Sequence, residues 1–446
     1  MRRAPIVLLA GLLVAGCAVA GSSGPGGQAS PAAAASAAPA SAATSSPIAP
    51  ADPSAAPSPG PGGTDIVIAR RGGRVVVLDA GSGERLFEAP AGVGTPDWRT
   101  VYATSPDGSG TRVARVRVDR GGGVDGQQTI PGRFVPATIG TAAATTGLSA
   151  DGGTLVLVDA APPAGRSRFA ILSTSLDAPA AIVSLAGRFT FDTLSPDGRR
   201  MYLVEHLAAE AGGHYVVRSY DVPARSLEAG IVVDKLNSGE AMAGTPIEQV
   251  VGHAGWAFTL YLGPDGPFVH ALSTLDRVAL CLDLPLPAGL RADTSGWGLG
   301  TDAGNHVMYA ANGALGRVYQ VDLDSPGVVR TAELVTAANP GVELAKFDGE
   351  PGATGTLAAL SPDGLTLYVV GPTGLLVVST RDLRTGRRLL ADRALAGVGI
   401  APDGRMIYAL GRDGRIVRVD PSTDTILGAL DGTGYEAILR VMGERP

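Results

Sequence analysis

The chain of 446 residues is longer than an ordinary single domain, so it must hold either several domains or one large repetitive one. Its 63 glycines, its 33 prolines and an aromatic content of only 5% suit many short strands joined by tight turns. A formal net charge of -6 argues against a nucleic-acid partner, because binding to a polyanion requires clustered positive charge.

Residues 1–16 are predicted to be a signal peptide. Arg2 and Arg3 precede an uncharged apolar run that is too short to span about 30 Å of bilayer hydrocarbon as a stable helix. The run ends in Val14-Ala15-Gly16-Cys17, which resembles the lipobox of bacterial lipoproteins. The resemblance implies that Cys17 carries a lipid, becomes the mature N-terminus and holds an exported protein on the cell membrane, facing outside the cytoplasm. Ordinary secretion, with cleavage after Ala18-Val19-Ala20, is the alternative.

Residues 17–63 are predicted to be a disordered tether, because they consist almost entirely of Ala, Ser, Pro and Gly and cannot bury a core. Residues 64–446 then form the folded domain. The chain has only two cysteines, Cys17 and Cys281, so no disulfide framework is possible. Cys281 lies in an apolar, strand-like run, where we expect an inert buried thiol.

A recurring unit runs through the folded domain. It consists of an apolar strand, a turn reading Ser-Pro-Asp-Gly or a relative, and a second strand with an aromatic residue. The unit reads LSPDGRRMYLV at 194–204, LSPDGLTLYVV at 360–370 and IAPDGRMIYAL at 400–410, with related copies at 94–104 and 148–158 and degenerate ones near 253–258 and 302–309. Pro, Asp and Gly are all turn formers, so we interpret these aspartates as structural.

A third strand that ends in an aspartate follows, and then a fourth short strand. The third-strand aspartates are Asp79, Asp119, Asp221, Asp322 and Asp420. Four strands per unit, repeated at about 40 to 60 residues, are typical of β-propeller blades. The repeats resemble the Tyr-Val-Thr-Asn and WD-repeat-like propellers of secreted bacterial proteins. The resemblance implies an all-β fold, a single β-propeller of four-stranded blades.

The number of strands near the N-terminus predicts how the ring closes. Only three strands follow the tether, near residues 65–69, 74–78 and 84–88. The segment 435–441, YEAILRV, has the length and apolar content of the missing strand, so we expect the C-terminus to complete the N-terminal blade. This arrangement favours eight blades. Seven is the alternative, because residues 235–287 diverge from the repeat.

No catalytic, metal-binding or cofactor motif appears in the sequence, and no metal and no cofactor are expected. The five histidines, at 206, 214, 253, 270 and 306, lack metal-ligand spacing. A propeller could still bring Glu205, His206 and His253 to one face.

Other candidate positions for binding residues are two insertions, at 237–249 and 336–355. Trp98, Trp256 and Trp297 could stack on a ligand, but we expect them to pack between blades.

These observations favour a non-enzymatic binding or scaffold module of the cell envelope, whose partner is a protein, peptide or glycan. The alternative is a hydrolase similar to lactonase-type propellers, which would need ionisable side chains converging on one mouth of the channel. A quinoprotein-like dehydrogenase is disfavoured, because a quinoprotein-like repeat occurs only once, at 79–87, with Phe where Trp is usual.

Overall fold

Eight four-stranded antiparallel blades form a closed ring in the computed structural model, which describes residues 65–118, 121–139, 146–207, 214–234, 242–286, 296–302, 304, 306–334 and 356–443. The predicted all-β propeller is therefore confirmed, with eight blades rather than seven. Within these ranges the only helical segment is a single 3-10 turn, His253–Gly255, and no helix has the length and apolar character needed to cross a membrane. The predicted signal peptide, Cys17 and the tether at 17–63 lie outside the described residues.

In blades 1 to 4 the strands run from the innermost to the outermost in the following order. Blade 1 holds β32 (Tyr435–Met442), β1 (Ile66–Arg71), β2 (Arg74–Asp79) and β3 (Arg85–Ala89). Blade 2 holds β4 (Gly92–Gly94), β5 (Thr100–Asp107), β6 (Gly110–Arg117) and β7 (Val124–Pro131). Blade 3 holds β8 (Phe134–Pro136), β9 (Thr154–Asp159), β10 (Arg166–Ser173) and β11 (Ala181–Ala186). Blade 4 holds β12 (Arg188–Leu194), β13 (Arg200–His206), β14 (Tyr215–Asp221) and β15 (Ser226–Asp234).

Blades 5 to 8 follow the same order. Blade 5 holds β16 (Thr245–Val251), β17 (Trp256–Gly263), β18 (Gly266–Ser273) and β19 (Val278–Asp283). Blade 6 holds β20 (Trp297–Thr301), β21 (Val307–Asn312), β22 (Arg317–Asp322) and β23 (Gly327–Glu333). Blade 7 holds β24 (Ala358–Leu360), β25 (Thr366–Val370), β26 (Leu375–Ser379) and β27 (Thr385–Leu389). Blade 8 holds β28 (Leu395–Ile400), β29 (Ile407–Gly411), β30 (Ile416–Asp420) and β31 (Thr425–Ala429).

The ring is closed by the C-terminal strand, as the strand count predicts. β32 pairs antiparallel with β1, from Ile66 opposite Met442 to Arg71 opposite Tyr435, and the register shifts twice along the pair. The last strand of the chain thus becomes the innermost strand of the first blade. Because both partners are in place, the inner edge of β1 carries no unpaired row of backbone groups.

The repeated turns hold their shape through one serine and one aspartate. In blade 4, Ser195 Oγ donates to Asp197 Oδ1 over 2.6 Å, and the backbone N–H of Arg200 donates to Ser195 Oγ over 2.9 Å. Gly198 takes φ +65°, a conformation that glycine adopts without strain. These hydrogen bonds hold the pKa of Asp197 below its usual value, with the Ser195 contact the largest cause. The turn aspartate is therefore occupied by its own turn.

The apolar core lies between neighbouring blades, because each sheet is covered on both faces by the next. The second and third strands are accordingly continuous apolar runs; Val76, Val77 and Leu78 of β2 are fully buried. The outermost strands face water, and β31 is largely exposed. Seven of the eight interfaces hold one large apolar cluster each, whereas the interface between blades 4 and 5 holds two small ones.

Tyrosines of the repeat link alternate blades to the next blade along the chain. Each lies in the second strand of blade 2, 4, 6 or 8, and its hydroxyl reaches across the interface. The pairs are Tyr102 with Thr174, Tyr202 with the carbonyl of Thr274, Tyr309 with Thr380, and Tyr408 with Asp65. The aromatic position of the repeat therefore supplies both apolar packing and a polar contact between blades.

Candidate functional site

One mouth of the central channel is the best-formed concave site of the described residues. Two cavities, of about 270 and 580 Å³, meet there and share Pro96, Leu439 and Arg440 in their walls. Together they touch all eight blades. Their walls are the ends of the innermost strands and the turns that lead into the second strands, so the repeated turns of blades 2 to 8 form the rim of the mouth together with β32 of blade 1.

The rim is apolar because the turns place proline there. The prolines are Pro96, Pro196, Pro362 and Pro402, each the second residue of its turn. Trp256 adds a half-buried indole that stacks on Phe258, with ring centroids 6.0 Å apart. Such a surface packs against apolar parts of a ligand and provides few hydrogen bonds of its own.

Arg440 is the cation of this mouth. It lies on β32, is exposed, and lines both cavities. Its guanidinium forms no hydrogen bond or ion pair with any residue that the structure describes, whereas Arg70 on the paired strand β1 binds Glu436. A guanidinium presents a fork of donors that matches a carboxylate or phosphate. Arg440 can therefore accept an anionic group that enters the channel.

Asp302 is the other ionised side chain in these cavity walls. Its Oδ1 accepts backbone hydrogen bonds from His306 (2.7 Å) and Val307 (2.8 Å). The carboxylate thus closes the first turn of blade 6 and takes the place that Ser195 Oγ has in blade 4, where it accepts from the backbone N–H five residues on. Because Asp302 is engaged in its own turn, Arg440 is the charged side chain of the described mouth that is available to a ligand.

Two buried carboxyl groups lie behind the channel wall. Asp192 is the extra residue of a bulge in β12, and its Oδ1 accepts a 3.2 Å hydrogen bond from Gln249 Nε2 of the next blade. Glu248 Oε2 accepts a 2.9 Å hydrogen bond from the backbone N–H of Leu299 in blade 6. Burial raises the pKa of each to about 7, against the opposing effect of these hydrogen bonds.

These carboxyl groups connect blades rather than face the channel. Asp192 and Glu248 are absent from the cavity walls, whereas Gln249 lines the smaller cavity and also donates to Thr259 Oγ1 over 2.8 Å. The cavity walls therefore do not contain the cluster of three or more ionisable groups that a hydrolase site of the predicted kind requires. Among the described residues no three His, Cys, Asp or Glu side chains are arranged to hold a metal ion.

The structure does not assemble the constellation of Glu205, His206 and His253. Glu205 binds Arg218 Nη1 over 2.6 Å, and His206 Nε2 contacts Thr190 Oγ1 at 3.1 Å, at the end of β13 away from its repeat turn. His253 belongs to the turn between β16 and β17, at the channel mouth, and its side chain is outside the described residues. His206 and His253 therefore lie at opposite ends of their blades.

The insertions and the tryptophans have mixed outcomes. The insertion at 237–249 is shorter than expected, because residues 245–249 belong to β16 and form channel wall, whereas 237–241 lie outside the described residues. The insertion at 336–355 lies wholly outside them. Trp98 and Trp297 are buried between blades as predicted, although Trp98 also touches the smaller cavity.

Sequence reasoning missed Arg440 and Asp192, and it placed Glu248 and Gln249 in the insertion at 237–249 without assigning either a role. The sequence predicts the segment that contains Arg440 as a strand, and the available signal is one of two charged residues, with Glu436, in the otherwise apolar run YEAILRV. Which face of the strand carries Arg440 depends on the two register shifts between β32 and β1.

Comparisons with known proteins support the fold alone. No protein-family model matches this chain, and no curated protein sequence matches it. The structure of Citrobacter koseri AztD is similar, with a TM-score of 0.50, 12% identity, and coverage of 86% of this chain and 99% of AztD. The dihydro-heme d1 dehydrogenase NirN in complex with DHE is also similar, with a TM-score of 0.53, 15% identity, and coverage of 86% of this chain and 76% of NirN.

Proposed function

We propose that this protein is an exported, lipid-anchored envelope protein whose propeller binds a peptide segment of a partner protein without catalysing a reaction. The carboxylate of the segment pairs with Arg440, and its apolar side chains pack on the rim. Export and anchoring rest on the sequence from Arg2 to Cys17. Binding rests on one observation above all, the guanidinium of Arg440, which has no described partner and lies in a mouth whose rim is formed by prolines.

The electrostatics of the mouth favour an anionic ligand. Two parallel hydrogen bonds from a guanidinium to a carboxylate are charge-assisted, and each charged hydrogen bond contributes about 1.5 to 3 kcal/mol. The proline rings and the indole at the rim reduce the competition from water. In the apo protein Arg440 stays hydrated, so binding exchanges water for carboxylate rather than breaking an internal ion pair.

The shape of the mouth favours a peptide. The larger cavity, of about 580 Å³, falls within the range of about 300 to 1,000 Å³ that is usual for ligand sites and suits a few amino-acid side chains. Proline rings and the indole of Trp256 form an apolar rim. Carbohydrate recognition would call for several free polar groups that converge on hydroxyls. In the walls of this mouth the polar side chains of Gln249, Thr274, Asp302 and Ser361 already form hydrogen bonds within the protein.

A lactonase-type hydrolase is the second candidate. It would need a general acid or base and an electrophilic stabiliser within reach of one substrate. Arg440 could serve as the stabiliser, but Asp302 is held by its turn and Asp192 and Glu248 are buried behind the wall. The likeness to the dehydrogenase NirN, at 15% identity, does not bring a redox activity to this chain.

The test uses the tagged full-length chain to capture partners from detergent-solubilised envelopes, in parallel with Arg440→Ala and Arg440→Gln. Arg393→Ala is the matched control, since Arg393 is exposed and lies outside the cavity walls. We expect a partner that the wild type and the control retain equally, that both Arg440 variants bind about tenfold more weakly, and that remains intact on incubation. If both Arg440 variants captured as much partner as the wild type, the proposed binding site would be wrong. Cleavage of the captured partner would favour the hydrolase.

A further inference from the structure

A cluster of three sulfur and nitrogen side chains lies at the interface of blades 4 and 5, far from the residues that form the channel mouth. Cys281 Sγ is 3.3 Å from Met242 Sδ and 3.8 Å from His270 Nδ1. His270 on β18 is directly opposite Cys281 on β19 in the strand pairing. Backbone hydrogen bonds in both directions between Met242 and Tyr215 hold Met242 beside them, at 3.0 and 2.8 Å.

This interface differs from the other seven. Its apolar packing is divided into two small clusters, and a cavity of about 430 Å³ lies beside them. Met242, Cys281 and His214 line the cavity, so a small ion can approach two of the three side chains of the cluster from it. His270 is fully buried behind Cys281 and is packed edge-on against the ring of Tyr261, with centroids 6.1 Å apart.

We infer that Met242, His270 and Cys281 form a binding site for Cu(I). Thiolate and thioether ligands are soft and select Cu(I) over hard cations such as Mg²⁺ and Ca²⁺, and imidazole is also a ligand for copper. Without metal, the thiol of Cys281 donates a hydrogen bond to the thioether. On binding, a bond forms between Cu(I) and Sγ, and the S–H bond breaks. The proton leaves to water, and copper stays in the +1 state.

The net charge of the occupied site also favours Cu(I) over divalent ions. Cu(I) bound to one thiolate, one neutral thioether and one neutral imidazole makes a site of zero net charge, whereas Zn²⁺ on the same ligands would leave one positive charge. The rings of Tyr215, Tyr261 and Phe268 pack beside the ligands, where an uncompensated charge is costly, while Asp265 and Asp283 line the neighbouring cavity. The shell therefore disfavours divalent ions on these ligands.

The distance between Cys281 and His270 suits a three-coordinate ion, and the distance between the two sulfur atoms requires a small adjustment. Bonds of about 2.3 Å to sulfur and about 2.0 Å to nitrogen, as in zinc sites, would place trigonal ligands about 3.7 to 4.0 Å apart. Cys281 Sγ and His270 Nδ1 already stand at 3.8 Å. The two sulfur atoms must separate by about 0.7 Å, which a rotation within the flexible methionine side chain supplies.

This site stands apart from the proposed binding function, since it uses neither Arg440 nor the channel. No sequence spacing reveals it either. His270 and Cys281 are joined by strand pairing alone, and Met242 comes from the segment that precedes β16.

The test uses the full-length chain carrying Cys17→Ser, which leaves Cys281 as the single thiol. Titration with Cu(I) under anaerobic conditions, in competition with bicinchoninate, should show one retained equivalent. X-ray absorption should show two sulfur neighbours at about 2.3 Å and one nitrogen at about 2.0 Å. Zn²⁺, titrated separately, should bind more weakly than Cu(I).

Matched variants assign the ligands. Met242→Leu preserves volume and should weaken Cu(I) binding at least tenfold, and Cys281→Ser should abolish it. Met308→Leu, at a fully buried methionine of blade 6, should leave it unchanged. Thermal melts without metal identify any variant that fails to fold. The proposal would be overturned if folded Met242→Leu bound Cu(I) with wild-type affinity or if folded Cys281→Ser retained copper. It would also be overturned if the parent chain retained no copper or bound Zn²⁺ more tightly than Cu(I).

Discussion

The hydroxyl of Tyr408 in blade 8 donates a 2.8 Å hydrogen bond to Oδ2 of Asp65, at the start of blade 1. The two residues are 343 positions apart in the sequence, and both are buried. Burial raises the pKa of Asp65 above its usual value, and the Tyr408 hydroxyl partly offsets that rise. One side-chain contact thus supports the closing interface of the ring next to the β1–β32 pairing.

Tyr408→Phe should destabilise the protein, because it leaves the Asp65 carboxyl buried without its donor. The expected loss is about 1 to 3 kcal/mol in the free energy of unfolding. Chemical denaturation measures it. Tyr368→Phe is the control, since the Tyr368 hydroxyl has no hydrogen bond to any described residue although its ring occupies the same position in blade 7. Equal losses in both variants would show that ring packing, and not the Asp65 contact, matters.

Truncation after Gly434 should abolish cooperative unfolding. It removes β32, so β1 loses its inner partner and the apolar contacts of Ile438 and Val441 with blade 8 are lost. Truncation after Met442, which leaves β32 intact, is the control and should melt like the full chain. Calorimetry or circular dichroism distinguishes the two. A sharp, unshifted transition in the shorter form would show that the ring does not depend on β32.

Asp192→Asn should reduce the dependence of stability on pH. Because the pKa of Asp192 is about 7 when folded and 3.8 is its ordinary value, the folded protein holds an extra proton between these pH values. The free energy of unfolding therefore falls as pH rises from about 4 to about 7, by on the order of 1.4 kcal/mol per pKa unit. Glu248 acts with the same sign.

Melting temperatures at pH 5 and pH 8 test this expectation. The difference between them should shrink by about half in Asp192→Asn, since Glu248 supplies the rest. Asp392→Asn changes an exposed carboxylate and should leave the difference unaltered. An unchanged difference in Asp192→Asn would mean that Asp192 does not hold the proton.

Cys17→Ser should release the exported protein from the membrane. A thioether-linked lipid on Cys17 would place the wild type in the detergent phase on phase separation, whereas the variant would partition into water. Cys281→Ser is the matched control and should partition like the wild type. Mass spectrometry of the N-terminal peptide gives a second readout. An unlipidated mature N-terminus at Gly21 would support ordinary secretion instead.

The blades could be predicted from the sequence because their turns are determined locally. The turn is complete within four residues: the side chains of Ser195 and Asp197 form hydrogen bonds there, and Gly198 adopts the positive φ that the turn requires. The motif therefore predicts a hairpin wherever it occurs. The closing strand could be predicted by counting, since a blade with three strands needs a fourth. Blade 5 diverges from the motif but keeps four strands, which decides for eight blades.

The candidate sites could not be predicted in the same way. Arg440 faces the channel only because of register shifts, and Asp192 turns towards blade 5 only because a bulge leaves it unpaired. Cys281 meets His270 through pairing between strands and meets Met242 through the contact between blades. Each juxtaposition arises from non-local geometry, which neither composition nor spacing encodes.

The position of β32 has a consequence for the order of folding. β1 to β3 are synthesised before the other strands of the ring, whereas β32, the inner partner of β1, is synthesised after all of them. Blades 2 to 8 consist of consecutive strands and can form as they emerge, while blade 1 must wait. This long-range pairing is expected to be slow. The finished ring, and with it a channel mouth that contains Arg440, can therefore arise only after β32 has been synthesised.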